Sequence, residues 1–327
     1  MNLLRVGLAG FGVMGRNHAR VLRSLEDVEL VGIADEAICD GGQGEQRIVE
    51  SVDELIKMEL DYAVVALPTI HHMSAALLLA DARVPTLIEK PLAQDIESAK
   101  RVVEAFDDVA VLAAVGHIER YNPALQQARS RIEAGELGTI YQVATRRQGP
   151  FPARISDVGV VKDLGTHDID LTAWLTGERY VSVAAQTARR SGRDHEDLVA
   201  AVGHLSNGIV TNHLVNWLSP IKERTTVITG ELGAFVVDTL RADLTFYANG
   251  SVETTWAPIA QFRGVSEGDV TRYAFERREP LLAEHEAFRD AVLGVGNDIV
   301  TAREGLRTIE VAEALLRSAN DGMVVEV

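Results

Sequence analysis

The chain predicts an α/β Rossmann domain with a doubly wound parallel sheet, followed by an α+β domain with an open, mostly antiparallel sheet. Three observations carry this. Over the first third, short apolar runs alternate with amphipathic stretches, the pattern of strands buried on both faces and joined by crossover helices. From Gly135 the texture becomes β-rich, with Gly and Asn-Gly turns. The length of 327 residues exceeds a typical domain of about 100 to 200, which points to two.

Strands are expected at 5–10 (RVGLAG), 28–35 (VELVGIAD), 61–68 (DYAVVALP), 86–91 (TLIEKP) and 109–116 (VAVLAAVG). Helical patterns lie between them, near 15–25, 52–57, 73–82 and 95–106. The first domain is therefore 1–118 and the second 119–327. In the second, TIYQVATRRQ, RYVSVAAQTARR, DLVAAVGHLSNGIVTNHLVNWL, ERTTVITGELGAFVVDTL and ADLTFYANGSVETTW read as strand-bearing segments. Ser206-Asn207-Gly208 and Ala248-Asn249-Gly250 mark hairpin turns. Helices are expected near 168–175, 280–293 and 301–318, with the C-terminal one able to pack back on the first domain.

Lys plus Arg number 32 against 48 Asp plus Glu, a net charge of −16; charged residues make up 24% and hydrophobic residues 46%. These proportions set aside disorder, collagen and coiled-coil arrays. The acidic balance argues against nucleic acid or an anionic membrane as partner, because both depend on clustered cations. An anionic metabolite needs only a local basic pocket. The single cysteine, Cys39, cannot form an intramolecular disulfide or a Cys-based zinc site, which fits a reducing compartment. The N-terminal segment has no basic run leading to a small-residue cleavage site, so no signal peptide is expected. Residues 62–80 carry no Asp, Glu, Lys or Arg, but Pro68, Thr69, His71 and His72 interrupt the run before the roughly 20 apolar residues that a spanning helix needs. A soluble, cytoplasmic protein is expected, with no nucleic-acid or membrane partner. The nine histidines show no HxxxH or Cys-based ligand cluster, so no metal is expected.

Directly after the first strand stands Gly10-Phe11-Gly12-Val13-Met14-Gly15, a GxGxxG, and the next stretch is helical. The first glycine permits the tight turn, the second lets backbone approach a pyrophosphate, and the third lets helix pack on strand. The helix N-terminus then offers free N–H groups and a positive dipole to phosphate. The second strand ends in Asp35, twenty residues beyond Gly15, where a carboxylate accepts from the adenosine ribose hydroxyls. That carboxylate, with Glu36 beside it, would repel the 2′-phosphate of NADP, so NAD is the expected cofactor.

Glu89-Lys90-Pro91 ends the fourth strand, and strand C-termini line the ligand crevice of such sheets. Farther on, Asp163 and His167 are four apart at the opening of an amphipathic helix, which places them on one face if the helical turn includes both. A carboxylate so placed can orient an imidazole for general acid/base work. From spacing alone, Asp163 as a helix cap and His167 as a satisfied core histidine stand equally open.

Taken together, Gly10-x-Gly12-x-x-Gly15, Pro68-Thr69-x-x-His72, Glu89-Lys90-Pro91 and Asp163-x-x-x-His167 resemble the glucose-fructose oxidoreductase and inositol dehydrogenase family, Gfo/Idh/MocA. The likeness runs nearly end to end, since Glu284-x-x-x-Phe288 and Gly305-Leu306-Arg307 in the closing helices also look like that family. The resemblance implies NAD-dependent oxidation of a sugar or polyol hydroxyl, with Lys90, Asp163 and His167 catalytic. His167 would take the hydroxyl proton, Lys90 would hydrogen-bond the reacting oxygen, and Asp163 would position substrate and imidazole. It places the cofactor against residues 10–15, Asp35, Leu67, Pro68, Thr69, His72, Glu89 and Lys90. Substrate would meet Lys90, Arg120, Tyr121, Asn122, Arg147, Asp163 and His167.

The segments 116–123 and 146–160 look similar to a branch that oxidises the 3-hydroxyl of UDP-N-acetylhexosamines. Arg120, Arg146, Arg147 and Arg154 could meet a diphosphate, or pair with the abundant carboxylates. Inositol or a free sugar is the alternative substrate, and a catalytically silent dinucleotide sensor the alternative function; the presence of Lys90, Asp163 and His167 counts against the sensor. Two departures from the family stand out. Residues 36–50 are short and carry Gly41, Gly42 and Gly44, so a shortened element or mobile loop is expected near the adenine side. Asp81-Ala82-Arg83-Val84-Pro85 replaces a small, Gly-containing turn. The apolar strands LVAAVGHL and GIVTNHLVNWL leave one sheet face for a partner subunit, so a homodimer or homotetramer is expected.

Overall fold

The computed structural model describes residues 3–36, 47–152, 158–250 and 266–327. Cys39, Gly41, Gly42, Gly44, Arg154 and the strand expected at 251–256 lie outside them. In chain order the first elements are β1 (Leu4–Ala9), α1 (Val13–Leu22), β2 (Val28–Ala34), β3 (Arg47–Val49), α2 (Val52–Ile56), β4 (Tyr62–Val65), α3 (His72–Asp81), β5 (Thr86–Glu89), α4 (Ile96–Val109) and β6 (Ala113–Gly116). There follow α5 (Pro123–Glu133), β7 (Ile140–Pro150), α6 (Thr166–Thr176), β8 (Tyr180–Ala188), β9 (Leu198–Leu205), β10 (Val210–Asn216), β11 (Leu218–Gly230), β12 (Gly233–Asp238), β13 (Asp243–Gly250) and β14 (Ser266–Arg272). The chain closes with α7 (Pro280–Val292), α8 (Ala302–Asp321) and β15 (Val325–Glu326). By contacts it divides into two compact units, Met1–Ile118 with Glu279–Glu310, and Glu119–Arg278 with Val311–Val327.

The first unit holds a six-stranded sheet in the order β3-β2-β1-β4-β5-β6, with every pairing parallel. Parallel strands need both faces covered, and the apolar runs supply them. Ala75, Ala76 and Leu79 of α3 with Val102, Val103 and Phe106 of α4 cover one face. Ala19 and Leu22 of α1 with Phe288 of α7 cover the other. The strand expected from 109 begins only at Ala113. The apolar face of α4 continues through Phe106, and the helix ends where Ala110 turns left-handed at φ 52.

The second unit is built on a nine-stranded sheet, β14-β13-β12-β11-β7-β10-β9-β8-β15. Its pairings are antiparallel except β7 with β10. Helices α5, α6 and the end of α8 bury Leu125, Trp174 and Leu315 against one face. The hairpin at 206–208 forms as expected: Gly208 takes φ +88 and its N–H donates to Leu205 C=O at 2.9 Å. The turn expected at 248–250 does not form. Asn249 and Gly250 instead stay in the ladder, paired with Glu267 and Ser266, and the Asn249 amide donates to Glu231 C=O at 2.8 Å.

Candidate active site

In the first unit the glycine loop is shaped by its neighbours. Gly10 takes φ +94, and a Cβ there would meet Ala66 O at 2.6 Å; a Cβ on Gly15 would meet Gly10 O at 2.0 Å. At Gly12 a Cβ would meet nothing within 4 Å. Only the outer position is therefore open, and it begins α1, whose first turn has no acidic residue and whose Gly12 cap has no side chain to satisfy the leading N–H groups. That is a cradle for a pyrophosphate. Phe11 N–H donates to Asp35 Oδ2 at 2.7 Å, so the carboxylate at the end of β2 is drawn to the loop where a ribose would be read. These residues fit a dinucleotide.

The other cofactor candidates lie at neighbouring strand ends of this unit. Leu67, Pro68 and Thr69 follow β4, where Pro68 caps a short 3₁₀ turn. His72 is buried, with one ring nitrogen 2.9 Å from Leu67 O and the other 2.9 Å from Pro91 O. It fastens the segment after β4 to the segment after β5, and burial lowers its pKa. Glu89 is buried at the end of β5, with Oε1 2.9 Å from His18 Nε2 and Oε2 accepting the Lys90 N–H at 3.1 Å. Burial opposes its ionisation, yet the His18 hydrogen bond and the His18 and Lys90 charges hold its carboxyl below the usual range. Lys90 is half-buried.

In the second unit a π-helical turn at Val161–Gly165 runs directly into α6. Asp163 stands on the turn and His167 in the first turn of α6, and both are buried. Single π turns recur at functional sites because the extra residue redirects side chains. Helix α6 is fixed by two buried ion pairs. Arg120 Nε and Nη2 bind Asp170 at 2.8 and 2.6 Å, and Arg147 bridges Asp168 at 2.9 Å and Glu119 at 2.8 Å. Burial works against the Arg147 charge, but Asp168 and Glu119 hold its pKa above the ordinary value. Arg120 and Arg147, expected at the substrate, are thus both engaged by carboxylates, two of which, Asp168 and Asp170, closely follow His167 in sequence. Arg146 is exposed, with Glu223 at 3.9 Å, and Lys162 pairs with Glu313 at 2.6 Å. Asn122 caps α5 by accepting the Ala124 N–H at 3.0 Å, and Tyr121 beside it is buried.

Asp168 and Asp170 escaped the reading of motifs, although two acids interleaved with apolar residues in a buried helix must find cations. His18 and His285 escaped it as well, and Glu284 stood only in the closing-helix pattern that resembles the family. Among the described residues, no group of three His, Cys, Asp or Glu side chains is placed to hold a metal ion. No helix among them is long and apolar enough to cross a membrane.

A parallel sheet with a glycine loop at its first strand end defines a dinucleotide-binding unit, and an α+β unit follows it in the chain. Residues 4–117 match the profile of an oxidoreductase family with an NAD-binding Rossmann fold, and residues 125–236 match the GFO/IDH/MocA C-terminal domain. The chain belongs to the GFO/IDH/MocA family and is an NAD-dependent oxidoreductase. It is 32% identical over 298 residues to UDP-N-acetylglucosamine 3-dehydrogenase of Acidithiobacillus ferrooxidans, covering 88% of each chain. The solved structure of that enzyme superposes with TM-score 0.84 at 28% identity, over 98% of this chain and 99% of that one. Inositol 2-dehydrogenase 2 of Saccharopolyspora erythraea is 32% identical over 221 residues, 64% of this chain and 65% of its own. GenD2 from gentamicin A biosynthesis, solved in complex with NAD, superposes with TM-score 0.83 at 25% identity, over 100% of this chain and 97% of that one.

Proposed function

We propose that the protein oxidises the 3-hydroxyl of a UDP-N-acetylhexosamine, or reduces the corresponding ketone. One observation carries the choice of substrate. At equal identity of 32%, similarity to the UDP-N-acetylglucosamine enzyme extends over 88% of this chain, against 64% for the inositol enzyme. NAD, when bound, supplies the hydride acceptor. The residues of this chain supply the rest. Residues 10–15, with Asp35, Leu67, Pro68, Thr69 and His72, hold and frame the dinucleotide. Lys90 hydrogen-bonds the reacting oxygen and favours developing alkoxide charge. His167 takes the hydroxyl proton, and Asp163 positions substrate and imidazole. Arg120 and Arg147 serve through α6, whose buried carboxylates they neutralise, and Tyr121 and Asn122 support the same region.

The test is NADH formation with UDP-N-acetylglucosamine, UDP-N-acetylglucosaminuronate and myo-inositol offered side by side. A nucleotide sugar is expected to give the highest kcat/KM. Lys90→Ala and His167→Ala should each lower kcat by about a hundredfold or more while NADH still binds. Full activity in either variant refutes the assignment, and turnover of inositol alone moves the substrate to a free polyol.

We also propose a homodimer or homotetramer in the cytoplasm. Among the described residues, the sheet of the second unit carries helices on one face; on the other, Tyr141, Val181, Val202 and Tyr247 are 53%, 48%, 46% and 47% exposed. Light scattering at micromolar concentration should give a multiple of 35.5 kDa, and a monomeric mass would sink the oligomer.

A further inference from the structure

The first unit buries a second polar cluster that no step above uses. His18 of α1 and Glu284 and His285 of α7 are each at most 1% exposed, and they lie with Glu89 at the end of β5. His18 Nδ1 is 2.8 Å from His285 Nε2, and His18 Nε2 is 2.9 Å from Glu89 Oε1. Glu89 Oε2 in turn accepts the Lys90 N–H at 3.1 Å.

The proton order along this chain follows from the acceptor at its end. An ionised carboxylate only accepts, so His18 Nε2 carries a proton and donates to Glu89. Of His18 Nδ1 and His285 Nε2, one carries the proton between them. Either arrangement keeps both rings aligned on Glu89. Burial, then the His18 charge, drives His285 toward its neutral form. Glu284 has both carboxyl oxygens buried without a hydrogen-bond partner, and burial and the Glu89 charge raise its pKa well above the usual value. Glu89 is therefore the anion of the cluster. A buried polar group gives little net stability, and often costs some, so stability alone is a weak reason for this arrangement. What the chain does is join three elements: the helix that opens at the glycine loop, α7, and the strand end that carries Lys90.

We propose that His18 and His285 are positioning residues, holding Glu89 through the chain His285–His18–Glu89 so that the end of β5 presents the Lys90 ammonium to the reacting oxygen. The role rests on Lys90 acting at that oxygen, as argued above. With the donor to Glu89 disordered, its carboxylate is left to the Lys90 cation, and the amine is drawn inward.

The test reads Lys90 itself, in the full chain saturated with NAD. Acetylation by a water-soluble N-hydroxysuccinimide ester is followed by peptide mass spectrometry, with Lys57, Lys100, Lys162 and Lys222 as internal standards. His285→Leu should slow Lys90 labelling by about threefold or more and lower kcat by about tenfold or more, with NADH affinity within about twofold of wild type. His285→Gln, which retains a donor, should restore both. Should His285→Leu not fold, His285→Asn, whose shorter side chain withdraws from His18, carries the same reading. Unchanged Lys90 labelling in a folded variant overturns the proposal whatever the turnover. If labelling follows the expected pattern but no sugar is turned over by wild type, the functional reading fails and the positioning role stands.

Discussion

Gly12 and Gly15 share one motif but answer to different constraints. Gly15 is required by the fold, since its Cβ would lie 2.0 Å from Gly10 O; Gly12 has open space where its Cβ would go and an ordinary φ of −65. Gly12→Ala should therefore leave the melting temperature unchanged while weakening NADH binding by about tenfold or more, a loss of roughly 1.4 kcal/mol or more. Calorimetry and NADH fluorescence titration separate the two effects, and unchanged NADH affinity would show that no phosphate approaches this position. The loop was legible in the sequence because its chemistry is local: three glycines, a preceding strand and a following helix fall within one short segment. The cluster around Glu89 was not, because His18 and His285 are 267 positions apart and meet only once α1 and α7 share a sheet face. Likewise Arg147 was visible as a cation, but its partners Asp168 and Glu119 depend on strand β7 lying against α6.

The same division between local and distant causes governs the elements. Helix α5 was missed, although Asn122-Pro123 is a cap followed by proline at the first helical position, a start signal that reads locally. Its apolar face, Ala124, Leu125 and Ala128, is narrow and small, so the periodicity is weak. At Ala248-Asn249-Gly250 the local signal pointed to a turn and lost to the ladder, because pairing with β14 satisfies backbone groups that a turn would leave to solvent. Helix α4 illustrates a signal that is absent: it ends on Ala110 at φ 52, where glycine is the usual residue. Left-handed backbone costs an alanine about 1–2 kcal/mol, and glycine gives back part of this gain through unfolded-state entropy. Ala110→Gly should stabilise the first unit by about 0.5–1 kcal/mol in urea or thermal unfolding. A loss of stability would mean that the Ala110 methyl makes packing that outweighs the strain.

At the scale of the whole molecule, burial of ionisable groups makes stability depend on pH in two opposing senses. Burial holds His72, His285 and His213 below the ordinary value of 6.5, with His213 lowered to about 4 between the Thr145 and Tyr180 hydroxyls. Below pH 6.5 the unfolded chain binds protons that these folded imidazoles refuse, so stability falls as pH drops toward 4. Glu89 and Glu119, whose partners hold them below 4.5 against burial, add to the loss as pH falls through their folded values. Glu284 acts in the opposite sense. Its folded pKa is raised well above 4.5, so its contribution is complete below 4.5 and is lost as pH rises toward the folded value. Across that window the penalty grows by up to about 1.4 kcal/mol for each pH unit. Glu284→Gln keeps the shape and the neutral charge, and should melt close to wild type at pH 4.5 and above it by a margin that widens toward neutrality. Calorimetric melting of both proteins across the range measures that margin directly. A difference that stays constant with pH would mean that the Glu284 carboxyl ionises freely in the folded protein, and that the cluster around Glu89 carries two anions rather than one.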